Sequence, residues 1–351
     1  MNTTRTTPPR PVDVTAVFPE VAPLARTATR LHPRPGAPAP QDSSIGGPLL
    51  WPADEPWPHC DGLHTDGSYS LEAVQVERRV QARVAMNPDD PRAAQYTPEE
   101  KAILERLQRI DIDHEWPEGP VAMLPVAQLY ARDIPLLRTL GPSGADLLQV
   151  LWCPLDHPEE FYMPRTAVVW RSAADVTDIL TSPPGAHSVE FEEYVPVPCV
   201  LAPEEVTEYP NSSELSKELQ EQLGDWSRWE AAAGVDSSYA PYPDSFYWSH
   251  LSVAPGWKVG GWPQWGYTDP APRPCPACGT AMDPLLTIAT FERDGEDDSW
   301  IPYEVQAASS STGDRYRDVV QPTRVQIGSG YKQQLYICPA APEHPHIELM
   351  Q

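Results

Sequence analysis

Apolar residues recur along this chain at two different periods. Leu71, Val74, Val80 and Val84 fall among Glu and Arg, a spacing that predicts an amphipathic helix over residues 71–86. Thr97-Pro98-Glu99-Glu100 has the layout of a helix start with Pro at the first helical position, and Ile103, Leu104, Leu107 and Ile110 form the buried stripe of the helix it opens. Apolar runs predict strands at Ala122 to Tyr130, Leu147 to Trp152 and Thr166 to Arg171; the middle run is apolar enough to be covered on both faces. After Asn211-Ser-Ser213, the residues Leu215, Leu219, Leu223, Trp226 and Trp229 lie close to one face of a further helix, whose Trp pair is expected to pack on a sheet. Strands at Pro284 to Phe291 and Gln333 to Cys338 enclose an acidic, Ser-rich segment with loops at Asp294 to Asp298 and Ser309 to Gly313. That run of acids lacks the alternating oxygen ligands and closing Glu of a calcium loop, and reads as solvated surface. Residues 1–40, rich in Thr, Pro, Arg and Ala with no useful apolar period, read as a disordered basic tail.

Chemistry enters with the cysteines. Pro274-Cys275-Pro276-Ala277-Cys278-Gly279 is a Cys-x-x-Cys on a Pro/Gly turn, and it is answered by Cys338-Pro339 at the end of an apolar strand and by His344. Four soft or borderline ligands from two chain segments are what tetrahedral zinc requires, and the layout is that of a zinc ribbon. A redox Cys-x-x-Cys would open a helix in a βαβ setting, which this Pro-rich turn does not. His346 competes with His344 as the fourth ligand, and spacing does not choose between them.

The same order of motifs occurs earlier. Ile45-Gly46-Gly47 with Trp51 and Pro56-x-Pro58-x-Cys60 parallels Val259-Gly260-Gly261 with Trp265 and Pro272-x-Pro274-Cys275. Met123 to Leu129 parallels Met282 to Ile288, and Cys153-Pro154 with His157 parallels Cys338-Pro339 with His344. The chain therefore reads as a tandem duplication. The earlier copy offers Cys60, His64, Cys153 and His157 as a second zinc set, His64 replacing the second thiolate of the knuckle. Adjacent glycines at 46 and 47 imply a turn with positive φ or a backbone closely approached by another segment. Cys199 has no partner nearby and reads as a buried strand residue.

The expected architecture is α+β: a β-rich tandem duplication of a zinc-ribbon-like module with inserted helices. It divides into the tail at 1–40, a first repeat at 41–205, a bridging helix at 206–240 and a second repeat at 241–351. A formal charge of −25 repels phosphate backbones and anionic membranes, so nucleic-acid and membrane partners are disfavoured and a basic protein, a cation or a neutral ligand is favoured. The 44 prolines and 12 tryptophans, both above ordinary usage, imply much turn and extended structure with large aromatic anchors. Cysteines placed beside His or in Cys-x-x-Cys fit metal ligation in a reducing compartment, and no stretch has the length of a membrane span or the apolar core of a signal peptide; a cytoplasmic location is expected.

Gly-Gly-x-Pro-x-Trp leading through Pro-rich sequence to Cys, then a Leu-Leu-Thr-Ile strand and an apolar strand ending in Cys-Pro, resembles the YwqG-like family of bacterial proteins. More distantly it is similar to eukaryotic programmed cell death protein 2 and its ribosome-biogenesis relatives. The resemblance covers roughly residues 41–157 and 245–346, and His64 in place of a knuckle Cys departs from the eukaryotic pattern. It implies a duplicated α+β fold and a protein client, held in chaperone-like fashion or, as suggested for bacterial members, to neutralise a toxin. No His-Glu-x-x-His, Gly-x-Ser-x-Gly, phosphate loop or dinucleotide fingerprint occurs. The expected function is a zinc-stabilised protein-binding module; the alternative is a zinc-dependent hydrolase using the first metal set.

Overall fold

The computed structural model describes residues 4–87, 89–111, 119–232, 235–293, 298–309 and 314–351. Mixed helix and sheet make it an α+β protein. Among the described residues the larger sheets are built from β1 (Arg26–Arg30), β2 (Arg34–Pro35), β3 (Ser44–Ile45), β4 (Leu124–Tyr130), β5 (Leu147–Trp152), β6 (Thr166–Arg171), β7 (Cys199–Val200), β8 (Glu204–Glu208), β9 (Lys258–Gly260), β10 (Asp283–Ala289), β11 (Lys332–Ile337) and β12 (Ile347–Met350). One six-stranded sheet runs β2-β7-β3-β4-β5-β6 and the other β8-β1-β9-β10-β11-β12. All these pairings are antiparallel.

The two sheets are paired in corresponding register. In one, β4 meets β5 as Leu124 with Trp152 and Pro125 with Leu151, slips by one residue, and resumes as Ala127 with Val150 and Gln128 with Gln149. In the other, β10 meets β11 as Asp283 with Ile337 and Pro284 with Tyr336, slips at the same place, and resumes as Leu286 with Leu335 and Thr287 with Gln334. A bulge that leaves one residue unpaired re-aims the side chains beyond it, so a shared bulge means a shared face. Side chains follow suit: Gln149 Nε2 donates to Leu50 O at 3.0 Å and Gln334 Nε2 donates to Gln264 O at 2.7 Å, each pinning the loop that carries Trp51 or Trp265. Both tryptophans are buried, at 1% and 6% exposure, and pack as core residues.

One apolar cluster joins the sheets. Leu124, Val126, Leu148, Val150 and Trp152 of the first share it with Leu285, Ile288, Leu335 and Ile337 of the second. Every residue of β5 is buried, as a strand covered on both faces must be. Its other face carries Leu151 with Trp51, Trp57, Cys60 and Cys153; the corresponding face of the second sheet carries Tyr336 with Cys275, Met282 and Cys338.

Residues 1–40 do not form a disordered tail from residue 4 onward. β1 lies in the second sheet, paired through Arg26 with Glu208 to Arg30 with Glu204 on one side and through Ala28 with Gly260 on the other. β7 conversely joins the first sheet, pairing Cys199 with Ile45. The antiparallel pair of segments 26–35 and 199–208 thus spans both sheets, and each sheet takes an inner strand from chain that precedes the other's Gly-Gly turn. Cys199 is a buried strand residue, as its lone position suggested. Ahead of β1, Val12, Val14, Phe18 and Val21 pack on Leu215, Leu219, Leu223 and Trp229.

That packing corrects the expected bridging helix. It is broken into a turn at Ser212–Glu214 and helices at Lys217–Leu223 and Trp226–Glu230, because Asp225 caps a new start by accepting from Ser227 N. Buried Trp229 packs edge-on against Phe18 at 4.8 Å and Phe246 at 5.4 Å rather than on a sheet. The inserted helices span Leu71–Met86 and Pro98–Asp111; in the latter Thr97 Oγ1 accepts from Glu100 N while Glu100 Oε2 accepts from Thr97 N, a reciprocal cap. Val84 is exposed and the side chain of Ile110 lies outside the described set, as do residues 294–297 and 310–313 of the acidic and Ser-rich loops.

Candidate metal centres

Each Cys/His group forms where a turn and the end of a sheet strand meet. In the second half, Cys275 N–H donates to Thr280 O and Gly279 N–H to Cys275 O, both at 2.8 Å, closing a knuckle that Gly279 completes at φ 75°. Cys338 follows directly on β11, and Met282 N–H donates to Arg273 O at 2.8 Å to clamp the knuckle to the sheet. The first half uses the same clamp: Met123 N–H donates to Pro58 O at 3.0 Å, and His59–Cys60 pairs with Val121–Ala122.

Cys275, Cys278, Cys338 and His344 bring one ligand atom each within 4.8 Å of one another. Cys278 Sγ lies 3.6 Å from Cys338 Sγ, and Cys275 Sγ lies 3.4 Å from His344 Nδ1. A tetrahedral ion with Zn–S near 2.3 Å and Zn–N near 2.0 Å separates its ligands by roughly 3.5–3.8 Å. A disulfide needs about 2.05 Å between sulfurs. All six cysteines are free, so the spacing is that of ligands and not of a bridge. His346 is directed elsewhere, 2.9 Å from Thr166 Oγ1 and 3.5 Å from Glu348 Oε1, so geometry selects His344.

In the first half Cys60, Cys153 and His157 converge in the same way and all three are buried. Cys60 Sγ lies 3.3 Å from His157 Nε2. His64 is not among them: its Nδ1 lies 2.8 Å from Thr65 O, and its ring centre stands 6.0 Å from that of His157. The expected four-ligand set is thus brought together as three.

Electrostatics agree with soft-metal ligation. Hydrogen bonding from Cys153, then from His157, pulls the Cys60 thiol down to about 4, while the same pairing and burial push Cys153 up. Burial works to lower His157, and the hydrogen bond and charge of Cys60 outweigh it. At the exposed end of the other group, the Thr280 side chain and backbone bring Cys278 down to about 6. Thiolates, not thiols, ligate metal, so each centre holds one sulfur readied for it.

Both groups can hold a metal ion. The structure brings together seven of the eight residues that the sequence spacing singled out and leaves His64 apart; no signal in the sequence reports that its Nδ1 meets a neighbouring carbonyl. Among the described residues no helix is long and apolar enough to cross a membrane. Compared with known protein families the chain matches no family model, and it matches no curated protein.

Proposed function

We propose that the chain is a zinc-stabilised, two-repeat module of the YwqG-like kind that binds a protein client in the cytoplasm. The observation that carries this reading is the four-donor set of Cys275, Cys278, Cys338 and His344 at tetrahedral spacing. The common register and bulge of β4–β5 and β10–β11 support a duplication, and the matching Gln149 and Gln334 bonds support it independently. A zinc held by thiolates from both ends of a module acts as a staple, and its binding energy is folding energy.

The binding half of the reading is supported by surface chemistry. Phe161 and Tyr162 are 77% and 61% exposed, on the loop that follows His157, and Leu63 is 67% exposed on the loop that follows Cys60. Phe161 and Tyr162 also hold φ of 56° and 58°, a conformation costly for bulky side chains and kept where the surroundings enforce it. Apolar anchors on a metal-fixed loop pair suit a protein contact. Chaperone-like holding and toxin neutralisation are the two forms that contact would take.

Affinity capture from native cytoplasm tests it, with the variant Leu63→Ser, Phe161→Ser, Tyr162→Ser as comparison. One dominant partner with the wild-type chain, lost in the variant at unchanged melting temperature, is the expected result. Equal background in both would overturn the reading. A zinc hydrolase at the first centre has one observation for it, since three ligands leave one tetrahedral position open. Burial of Cys60, Cys153 and His157, at 3%, 0% and 0% exposure, opposes it by keeping substrate from that position.

A further inference from the structure

A chain of net charge −25 nonetheless places four arginines around one cleft. A cleft of about 50 Å³ between the β1–β2 corner and residues 292–293, 300–305 and 318–319 is lined by Arg5, Arg30, Arg34 and Arg293 against two carboxyl groups, Glu292 and Asp318. Both carboxylates have partners. Asp318 Oδ1 accepts from Arg324 at 2.5 Å, and Glu292 Oε1 accepts from Trp257 N at 3.0 Å. The N-terminal arm closes one side: Thr6 N–H donates to Glu304 Oε2 at 2.9 Å, Tyr303 N–H donates to Thr6 O at 3.0 Å, and Arg5 is thereby brought to the cleft.

Like charges held together cost free energy unless something offsets them. Arg5 is lowered by burial and then by the charge of Arg34, with the Glu304 carboxylate acting in the opposite sense. Arg34 Nε is buried without a hydrogen-bond partner among the described residues. His32, beside Glu204 at 3.0 Å, is driven down to about 4 by burial and by Arg30, so it is neutral near pH 7 and adds no charge. The remaining wall is apolar, formed by Pro33, Ile301, Pro302 and Val305. An arginine-lined concave space with one apolar wall is the arrangement that recognises a planar or tetrahedral oxyanion on a small apolar body.

We infer that this cleft is a binding site for a small oxyanion, a carboxylate or a phosphate ester, distinct from both metal centres. Arg34 and Arg5 supply the charged donors, and the wall at 301–305 receives the apolar part of the ligand. The site draws on the N-terminal arm, β1–β2 and residues 292–293, 300–305 and 318–319 together, so ligand binding ties the arm to the second sheet.

Titration calorimetry on the full chain tests this, using inorganic phosphate, phenyl phosphate and propionate at constant ionic strength, with chloride as the blank. Saturable binding of a phosphate or a carboxylate but not of chloride is expected, and the better-bound class identifies the ligand's charged group. Arg5→Gln with Arg34→Gln should weaken binding about tenfold or more, because each removes charged hydrogen bonds. Should the double variant melt early, Arg5→Gln alone decides, since its side chain sits on the arm. The absence of saturable heat for all three probes, or undiminished binding in the folded variant, overturns the site.

Discussion

Lys258 and Glu208 are both wholly buried, and their side chains meet at 2.6 Å. Such a pair persists only when its remaining hydrogen-bonding capacity is used. Here Glu208 also accepts from Ala254 N at 2.9 Å and Trp262 N at 2.7 Å, and Lys258 Nζ also donates to Trp262 O at 2.7 Å. The carboxylate therefore fixes the Gly-Gly turn of the second half. A Cβ on Gly261 would stand 2.2 Å from Glu208 Oε2, in a backbone at φ 73°, which is why glycine is required there. Glu292, half-buried at the cleft, is an acid of the other kind. Burial raises it from 4.5 to about 7 despite the Trp257 N–H bond. Below pH 4.5 folded and unfolded chains both hold this proton; between 4.5 and about 7 only the folded chain does, so stability falls as pH rises through that window. Replacing Glu292 with Gln removes this term and keeps an acceptor for Trp257 N–H. Urea midpoints at pH 5 and 7.5 should show the wild type losing about 2 kcal/mol relative to Glu292→Gln. Equal losses in both proteins would assign the pH dependence elsewhere.

Elements with a strong local period were legible before any coordinates. The helix Leu71–Met86 and the strands Leu147–Trp152 and Thr166–Arg171 begin and end where the apolar pattern placed them. β1 was not legible, because its period is carried by Thr and Arg and its partner strand β8 comes nearly two hundred residues later. Gly224-Asp225 broke a helix whose apolar face looked continuous, local capping overriding the stripe. The Cys-x-x-Cys turn was legible from its Pro and Gly residues and the spacing of its cysteines, and it carries the prediction at this scale. Wild-type protein should contain two zinc ions per chain by mass spectrometry, and Cys60→Ser with Cys153→Ser should remove one. Cys278→Ser should leave the first-half ion in place, lower the melting temperature and increase protease cutting within residues 250–351. A single zinc in the wild type, retained in the double variant, would sink the first centre; a melting curve unmoved by Cys278→Ser and by strong chelation would make the second centre incidental.

At the scale of the whole molecule, the proposed client binding would divide its work between charge and apolar anchors. Trp51 and Trp265 are buried and unavailable as contacts, so the proposed client contact would rest on the exposed loops around the first Cys/His group. Attraction at a distance falls to the net charge of −25. Over a Debye length of about 8–10 Å in physiological salt, an acidic body speeds encounter with a basic client without much strengthening the final contact. Lowering salt from 0.3 M to 0.05 M should therefore raise the association rate of the captured partner by about tenfold or more, while its dissociation rate changes little. The triple variant at Leu63, Phe161 and Tyr162 should do the reverse, leaving association near wild type and accelerating dissociation, because apolar anchors act after contact. Surface plasmon resonance across a salt series separates the two. An association rate indifferent to salt would mean that the acidic surface serves solubility alone, and that the client is recognised by shape at the metal-fixed loops.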